Sequence, residues 1–464
     1  MKPVDMTTGT PWKKILIFMI PMLIGNITQQ LYNTVDSIVV GRYLGDNALA
    51  AVGSAGPIVN LLIVFFVGTS VGASILVSQY VGAGNREGTA DAVSNCVILI
   101  FAASVIVTAA GIGLTEPLLR LLNTPDSLID WCSIYLRIMF AGSIGLGFYN
   151  ILCGVLRGMG DSMSALIYLV IASLINIGLD IFFISALKMG VEGVALATII
   201  AQGISAVLCI RKLNRMTAYM DFQWRKIRWK REYGMEIIRL GVPSGITQMI
   251  FSMSSIMVQS LVNSFGEQFI AACVIVQRID GFAMMPAMSF GNAMTTYAGQ
   301  NTGAGETERI RKGTKQGLLL SVTVSAAITL LLVTAGRIAI SLFTDTPALI
   351  EQSTYLIRIL ALGYIAMAVI HCLAGVMRGE GNTVTPMWLS IIQLCAMRVP
   401  VADLLCYLTR TEELPLGRSD MIYIGLLLAF LLGCAMHVIV FCLGRWRRHT
   451  NAGRQSAPSS DRSS

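Results

Sequence analysis

Two aspartates and two neutral oxygen donors stand inside apolar stretches of this sequence, where an ionised group is most costly. Asp36 lies within the apolar run 15–40, and Asp180 lies within the run 165–187 with Asn176 four residues before it. Because residues four apart share one face of a helix, the Asn176 amide and the Asp180 carboxylate can converge on one cation. Thr198, on the next apolar run, adds a hydroxyl oxygen, and hard cations prefer oxygen ligands. The four residues therefore predict a site that binds Na+ or H+.

Each of these residues also has a purely structural interpretation. Asp36 stands six residues before Arg42, and it would then cap a helix end or pair with that arginine. Asn176, Asp180 and Thr198 would then form a polar network that only joins neighbouring helices. A carboxylate at mid-membrane costs about 2.5–3.5 kcal/mol by insertion scales, so a role in ion or substrate binding is the default hypothesis.

The second half of the chain carries its own polar residues within apolar runs. Arg278 and Asp280 are two residues apart, so they lie on different sides of a helix and contact different partners. His371 is either a core residue or a proton carrier, since histidine titrates near neutral pH. We predict these three as possible cavity or coupling residues, with a structural salt-bridge network as the alternative for the charged pair.

Methionine is abundant, and several of the 24 lie on two neighbouring apolar runs of the second half. A flexible, polarizable side chain suits a cavity that accepts varied apolar molecules. Ordinary packing or contact with lipid is an equally good explanation for any single one. The methionines predicted to line a substrate cavity are Met253, Met257, Met284 and Met288.

Membrane-spanning helices must position these residues. The chain is 55% hydrophobic and only 13% charged, and its mean hydropathy is +0.69. Twelve apolar runs each approach the ~20 residues that cross a bilayer: 15–40, 48–77, 96–114, 135–156, 165–187, 194–210, 246–262, 269–294, 318–342, 355–376, 387–408 and 421–443. We therefore predict an all-α polytopic membrane protein with twelve transmembrane helices. The ten cysteines show no paired or metal-type spacing and are predicted to be core residues.

Basic residues concentrate on one side of these predicted spans. The segments that contain them alternate with segments in which acids offset the bases, a pattern that places both termini in the cytoplasm of a multi-pass cell-membrane protein. The same rule accounts for the net charge of +8, so no nucleic-acid partner is predicted. Residues 216–235 form a basic cytoplasmic linker, and the Ser-rich tail 447–464 is predicted to be disordered.

The chain repeats itself at a shift of 221 residues. Gly82-Ala83-Gly84 falls on Gly303-Ala304-Gly305, and Arg157-Gly158 falls on Arg378-Gly379. Six spans per repeat is an even number, so both halves enter the membrane from the same side. The prediction is two six-helix lobes, 12–215 and 236–446, related by a pseudo-two-fold axis along the membrane normal. The acids do not repeat, because Asp36 aligns with Met257.

Several short motifs occur along the chain in a fixed order, and they include Val35-Asp36, Leu156-Arg157-Gly158, Asn176 with Asp180, Gly241-Val242-Pro243 and Arg398-Val399-Pro400. The order and spacing of these motifs resemble the multidrug and toxic compound extrusion (MATE) family. The resemblance implies two lobes around a central cavity, alternating access, and export of varied, often cationic and amphipathic compounds driven by inward Na+ or H+.

One prokaryotic branch of that family is implied by the residues that fall on its amino-lobe cation site. Asp36, Asn176, Asp180 and Thr198 occupy those positions, and Asn150 is a possible addition. Another branch carries a Glu early in the seventh span. The corresponding segment 243–251 has no acid here, so the resemblance does not extend to a second cation site there.

The predicted function is that of a secondary active multidrug efflux antiporter. Its partners would be drug-like small molecules and the lipid bilayer, it would act as a monomer, and it would need no cofactor besides the coupling ion. A lipid-linked sugar or lipid flippase of the same broad superfamily is the alternative, although only Arg278 and Arg398 are obvious bases inside spans. The sequence contains no HExxH, GxSxG or P-loop motif, the motifs that would indicate an enzyme or an ATP-driven pump.

Overall fold

The computed structural model describes residues 3–122 and 124–444. The regular secondary structure of these residues is helical. Those long enough to name are α1 (Pro11–Leu44), α2 (Asp46–Gly82), α3 (Arg86–Leu121), α4 (Asp126–Ala141), α5 (Ser143–Gly158), α6 (Ser162–Ile181), α7 (Val191–Asn214), α8 (Arg231–Asn263), α9 (Glu267–Gly303), α10 (Thr307–Ser341), α11 (Pro347–Gly379), α12 (Val384–Ile391), α13 (Val399–Leu408) and α14 (Met421–Leu443). Two π-helical segments, Phe182–Ala186 and Ile392–Arg398, follow α6 and α12, and a 3-10 turn spans Trp224–Lys226.

The number of membrane-crossing elements confirms the all-α polytopic fold. Eleven spans within the described residues are long and apolar enough to cross a bilayer, or twelve when α4 and α5 count as one bent span. The predicted disordered tail, 447–464, lies outside the residues that the structure describes. Seven of the ten cysteines are buried as predicted, whereas Cys434 is partly buried and Cys395 and Cys442 are exposed.

The fourth predicted span is bent by 52° between α4 and α5. A Cβ on Gly142, at the bend, would lie 2.2 Å from Ile199 Cγ2, so only glycine allows α7 to pack this closely. The Thr108 hydroxyl donates to the Phe140 carbonyl at 2.8 Å. This bond supplies a partner to backbone near the bend, where the regular helical ladder is interrupted.

The repeated glycines end helices by turning the backbone to positive φ, as their position in the repeat predicts. Gly84 (φ +66°) and Gly305 (φ +75°) follow α2 and α9, and Gly160 (φ +88°) and Gly381 (φ +95°) follow α5 and α11. Residues with a Cβ rarely adopt this backbone conformation, so glycine suits all four turns. Both copies of the repeat therefore use the same turn chemistry.

The chain forms two compact units whose limits differ from the two sequence halves. The first unit contains Ile20–Gly245 together with the described residues that precede Met6. The second contains Met6–Met19 together with Ile246 and the described residues that follow it. The first part of α1 thus belongs to the second unit, and the first part of α8 belongs to the first unit.

Arg309 on α10 holds the extended amino-terminal segment within the second unit. Its guanidinium donates to the Met6 carbonyl from Nε at 3.1 Å, to the Thr8 carbonyl from Nη2 at 2.8 Å, and to the Gly9 carbonyl from Nη1 at 2.8 Å. The Met6 N–H in turn donates to Gln300 Oε1 at 3.0 Å. One side chain therefore satisfies three carbonyls of a segment that lacks helical hydrogen bonds of its own.

Replacing Arg309 with alanine is expected to increase hydrogen exchange in residues 4–9 by about tenfold or more, because hydrogen bonds to a charged group stabilise by about 1.5–3 kcal/mol. Hydrogen-exchange mass spectrometry of the purified protein measures this. Arg311→Ala is the matched control, since Arg311 is exposed on the same helix. Equal exchange in the two variants would contradict the assigned anchoring role.

Candidate functional site

Three helices of the first unit bring the four predicted oxygen donors together. α1 supplies Asp36, the last two turns of α6 supply Asn176 and Asp180, and α7 supplies Thr198. Asp180 is 0% exposed and Asn176 is 1% exposed. The side chains that were selected for their chemistry therefore lie together in this unit, with Asn176 and Asp180 buried and Asp36 and Thr198 partly buried.

Asn176 connects α6 to α7 and orients the Asp180 carboxylate. With its amide oriented to satisfy both ends, Nδ2 donates to Asp180 Oδ2 at 2.8 Å and Oδ1 accepts from the Thr198 N–H at 3.1 Å. The Thr198 hydroxyl donates to the Val194 carbonyl at 3.0 Å on its own helix. One carboxylate oxygen of Asp180 is thus fixed by a neutral amide.

One oxygen of each carboxyl group, Asp36 Oδ1 and Asp180 Oδ1, lacks a hydrogen-bond partner among the described residues. The carboxyl groups of Asp36 and Asp180 are within hydrogen-bonding reach of each other. Both of the unpartnered oxygens are buried. Two ionised carboxylates this close repel each other unless a proton or a cation lies between them. The geometry therefore fits a bound H+ or Na+, which would satisfy the two orphaned oxygens.

Two tyrosines that the sequence reasoning missed complete the surroundings of the acids. Tyr32 lies one turn before Asp36 on α1, and its hydroxyl is within hydrogen-bonding reach of Thr198. Tyr135 of α4 lies in electrostatic range of both carboxyl groups. The four-residue spacing of Tyr32 and Asp36 is a signal that the sequence does carry. Tyr135 carries none, because nothing in its span indicates which helix it faces.

The structure also shows the surroundings of Asn150 and Arg42, two residues that the sequence analysis linked to the acids. Asn150 donates its amide to the Leu146 carbonyl at 2.8 Å, one turn back on α5, and its own carbonyl accepts from Ser70. Its contacts therefore place it with α2 rather than with the two acids. The alternative pairing of Asp36 with Arg42 is not among the ion pairs of the described residues.

In the second unit, Arg278 and Asp280 lie in different surroundings. Asp280 Oδ1 accepts a short hydrogen bond from the Tyr364 hydroxyl of α11. Arg278 is exposed, and neither residue belongs to an ion pair within the part of the chain that the structure describes. His371 is partly buried where α11 passes α9, with its carbonyl 2.9 Å from the position of a Cβ on Gly291.

The four methionines predicted for a substrate cavity differ in exposure. Met253 is 62% exposed, Met257 50% and Met288 43%. Met284 is only partly exposed and packs against the hydrophobic core of the second unit. Three of the four side chains therefore remain accessible for contact with apolar molecules.

No group of three or more His, Cys, Asp or Glu side chains that could hold a metal ion occurs among the described residues. The candidate site instead combines two carboxylates with an amide and a hydroxyl. That donor set, made only of oxygen ligands, suits a hard cation such as Na+.

The family model described as MatE matches residues 21–182 and 243–404. The chain is 30% identical over 447 residues to the probable multidrug resistance protein YpnP of Bacillus subtilis, which covers 96% of this chain and 98% of that protein. It is 26% identical to the probable multidrug resistance protein NorM of Thermotoga maritima, over 96% of this chain and 95% of that protein.

A solved structure gives the same result for the fold. The crystal structure of MATE in the bent conformation superimposes with a TM-score of 0.89 at 25% identity, covering 97% of this chain and 99% of that one. The two matched segments of the family model also correspond to the two copies of the internal repeat.

Proposed function

Because this chain belongs to the MatE family of transporters, we propose that it is a secondary active antiporter that exports small, drug-like organic molecules in exchange for Na+ or H+. The observation that carries the proposal is the contact between the Asp36 and Asp180 carboxyl groups, each with a buried oxygen that lacks a partner. Two ionised carboxylates this close repel each other strongly where water is excluded, so a bound cation or proton stabilises the pair.

The coupling ion acts by neutralising the pair. In the proton-coupled form, one proton is held between the two carboxyl groups. In the sodium-coupled form, the free oxygens of Asp36 and Asp180 contact the ion, with Asn176 and Thr198 as further oxygen donors. In both forms Asn176 keeps Asp180 oriented, since its amide is fixed by the Thr198 backbone. A ligand shifts a conformational equilibrium only by its differential affinity for the two states, so this site must bind the ion unequally in them.

The same proposal includes the setting of the transporter. The positive-inside pattern supports a multi-pass cell-membrane protein with both termini in the cytoplasm. The exposed Met253, Met257 and Met288 provide soft contacts for varied apolar substrates. The protein acts as a monomer, and each unit supplies its own polar residues.

Gradient-driven dye transport in proteoliposomes tests the function and identifies the ion. We expect an imposed Na+ gradient or an imposed pH gradient to drive transport of an amphipathic cationic dye, and collapse of that gradient by an ionophore to stop it. The proposal is wrong if neither gradient drives dye movement. Movement of a lipid-linked sugar without any response to dyes would support a flippase instead.

A further inference from the structure

Two buried cysteines of the first unit bring their sulfur atoms together, apart from the acid pair. Cys153 of α5 and Cys209 of α7 are 56 positions apart in the sequence, and their Sγ atoms lie 3.8 Å from each other. Cys153 is 3% exposed and Cys209 is 0% exposed. Both are free thiols. The pair is therefore a dithiol whose geometry is set by two helices and not by a local sequence motif.

The packing of α5 on α7 fixes the backbone that carries the two thiols. A Cβ on Gly142 would lie 2.2 Å from Ile199 Cγ2, and a Cβ on Gly145 would lie 3.3 Å from the Gly203 Cα. These contacts and the sulfur contact follow in the same order along both helices, so α5 and α7 run side by side in one direction. Small residues at such a crossing let the two backbones approach closely. The sulfur–sulfur separation is thus a property of the packed helices.

The separation of the sulfurs suits one bridging metal ion. Two metal–thiolate bonds of about 2.3 Å to sulfurs 3.8 Å apart enclose an angle of about 110° at the ion. That angle is close to the tetrahedral value. A disulfide would instead require the sulfurs to approach to about 2.0 Å. The pair can therefore hold an ion without displacement of either helix.

A guanidinium and a phenol lie beside the sulfurs. Arg157, one turn after Cys153 on α5, is in electrostatic range of both thiols. It donates to the Ser70 hydroxyl at 3.2 Å and does not occur among the ion pairs of the described residues. The Tyr149 hydroxyl, one turn before Cys153, is within hydrogen-bonding reach of that sulfur. Positive charge next to a cysteine favours the thiolate, the form that binds metal ions.

The sum of the charges selects a monovalent ion. Two thiolates and a monovalent cation together carry one negative charge, which the Arg157 guanidinium balances. A divalent cation would leave one positive charge unbalanced, and an unpaired charge is costly where water is excluded. Asp161 is also in electrostatic range of Cys209, but its carboxylate is paired with Lys212 at 3.0 Å and does not change this sum. Among monovalent ions, soft thiolate ligands select Cu+.

We propose that Cys153 and Cys209 form a binding site for a soft monovalent metal ion, Cu+ or its analogue Ag+, next to Arg157. Binding forms two metal–sulfur bonds and releases one proton from each thiol, so no oxidant is needed. The bound ion joins α5 to α7 and stabilises the first unit. This site is separate from the coupling site and goes beyond the proposed export function.

The position of the pair along the two helices suits delivery of such an ion. Each cysteine lies five residues before the end of its helix, at Gly158 and at Asn214, which is about 8 Å of helix. The charge pattern of the sequence predicts that these helix ends face the cytoplasm. Thiols in that compartment stay reduced and remain available to a metal ion.

Competition with the chelator bicinchoninate tests the site in the detergent-purified, reduced full-length protein under anaerobic conditions. The Cu+ complex of this chelator is coloured, so a loss of colour reports transfer of Cu+ to the protein. We expect the wild type to take up one more equivalent of Cu+ than Cys153→Ser or Cys209→Ser. In each variant the affinity of this site should fall by about 100-fold or more, because a hard oxygen replaces one of two soft ligands.

Cys96→Ser is the matched control, since Cys96 is another fully buried cysteine of the first unit, on α3. We expect it to keep the additional equivalent of Cu+ with an affinity within twofold of the wild type. The inference is overturned if both cysteine-pair variants take up as much Cu+ as the wild type, or if Cys96→Ser loses the same equivalent. A wild-type protein that becomes lighter by two hydrogens in the assay has formed a disulfide, which also overturns it.

X-ray absorption at the copper edge keeps the test decisive if a serine variant does not fold. The wild-type complex with one equivalent of Cu+ should show at least two sulfur neighbours at about 2.3 Å. One sulfur neighbour or none would overturn the site.

Arg157→Gln tests the charge balance separately. Without the guanidinium, the complex with a divalent ion is neutral and the complex with a monovalent ion is not. We therefore expect the ratio of Ag+ affinity to Cd2+ affinity to fall by about tenfold or more. Isothermal titration of both ions measures the ratio, and an unchanged ratio would overturn the assignment of a monovalent ion.

Discussion

Asp36→Asn is expected to reduce gradient-driven export to the leak rate of protein-free liposomes. The amide cannot take up a proton, and it removes the negative charge that attracts Na+. It also leaves Asp180 without the second carboxyl group that completes the pair. Without differential ion binding, the gradient no longer shifts the transporter between its states. Initial rates of dye transport under Na+ and pH gradients, in matched proteoliposomes, measure the loss.

Asp130→Asn is the matched control for this variant. Asp130 lies exposed on α4 in the same unit, so its replacement makes the same chemical change away from the site. We expect it to retain transport within twofold of the wild type. The coupling role of Asp36 is refuted if Asp36→Asn still exports dye under both gradients. A variant that fails to elute as a monodisperse protein is replaced by Asp36→Glu, which keeps the charge but displaces it, and which should transport at a strongly reduced rate.

Gly72→Ala is expected to destabilise the first unit by about 1–3 kcal/mol, the usual range for overpacking. α2 passes α8 at this point with backbone against backbone. A Cβ on Gly72 would lie 2.4 Å from the Ile237 carbonyl oxygen, 2.7 Å from the Gly241 nitrogen and 2.9 Å from its Cα. Since all three atoms belong to the backbone, no side-chain rotation relieves the clash, and the helices must separate. Thermal unfolding of the purified protein in detergent measures the change.

Gly53→Ala separates this steric effect from the general effect of alanine in a helix. Gly53 lies on the same helix α2, and a Cβ there meets nothing within 4 Å. Alanine restricts the unfolded chain more than glycine does, so we expect this variant to be more stable by about 0.5–1 kcal/mol. Equal melting temperatures for the two variants would show that the α2–α8 approach tolerates a side chain.

Local spacing predicts contacts within one helix reliably. Asn176 and Asp180 are four residues apart, and the amide does contact the carboxylate. The turn glycines could be predicted equally well from the sequence, since Gly84 and Gly305 occupy the same place in the repeat and both have a positive φ. These features depend only on helix geometry and on the absence of a Cβ.

Contacts between helices that are distant in the sequence could not be predicted in this way. Tyr364 and Asp280 are 84 positions apart, and no pattern in either span indicates that they meet. The two-residue spacing of Arg278 and Asp280 predicts that they face different sides of a helix, but it does not indicate that Asp280 bonds a tyrosine. An apolar helix in a membrane has weak amphipathic periodicity, so its sequence hardly specifies which neighbour each face contacts.

The sequence by itself determined the membrane class, the number of spans, the internal repeat and the residue types available for ion binding, because hydropathy and charge act along the chain. Only the tertiary structure decided which of these residues meet. It placed Asp36 against Asp180, with one buried oxygen of each left without a hydrogen-bond partner among the described residues. It also placed Met6–Met19 in the second unit. These outcomes depend on close packing between helices distant in sequence, where the positions of small residues such as Gly72 and Gly142 set how near two backbones can come.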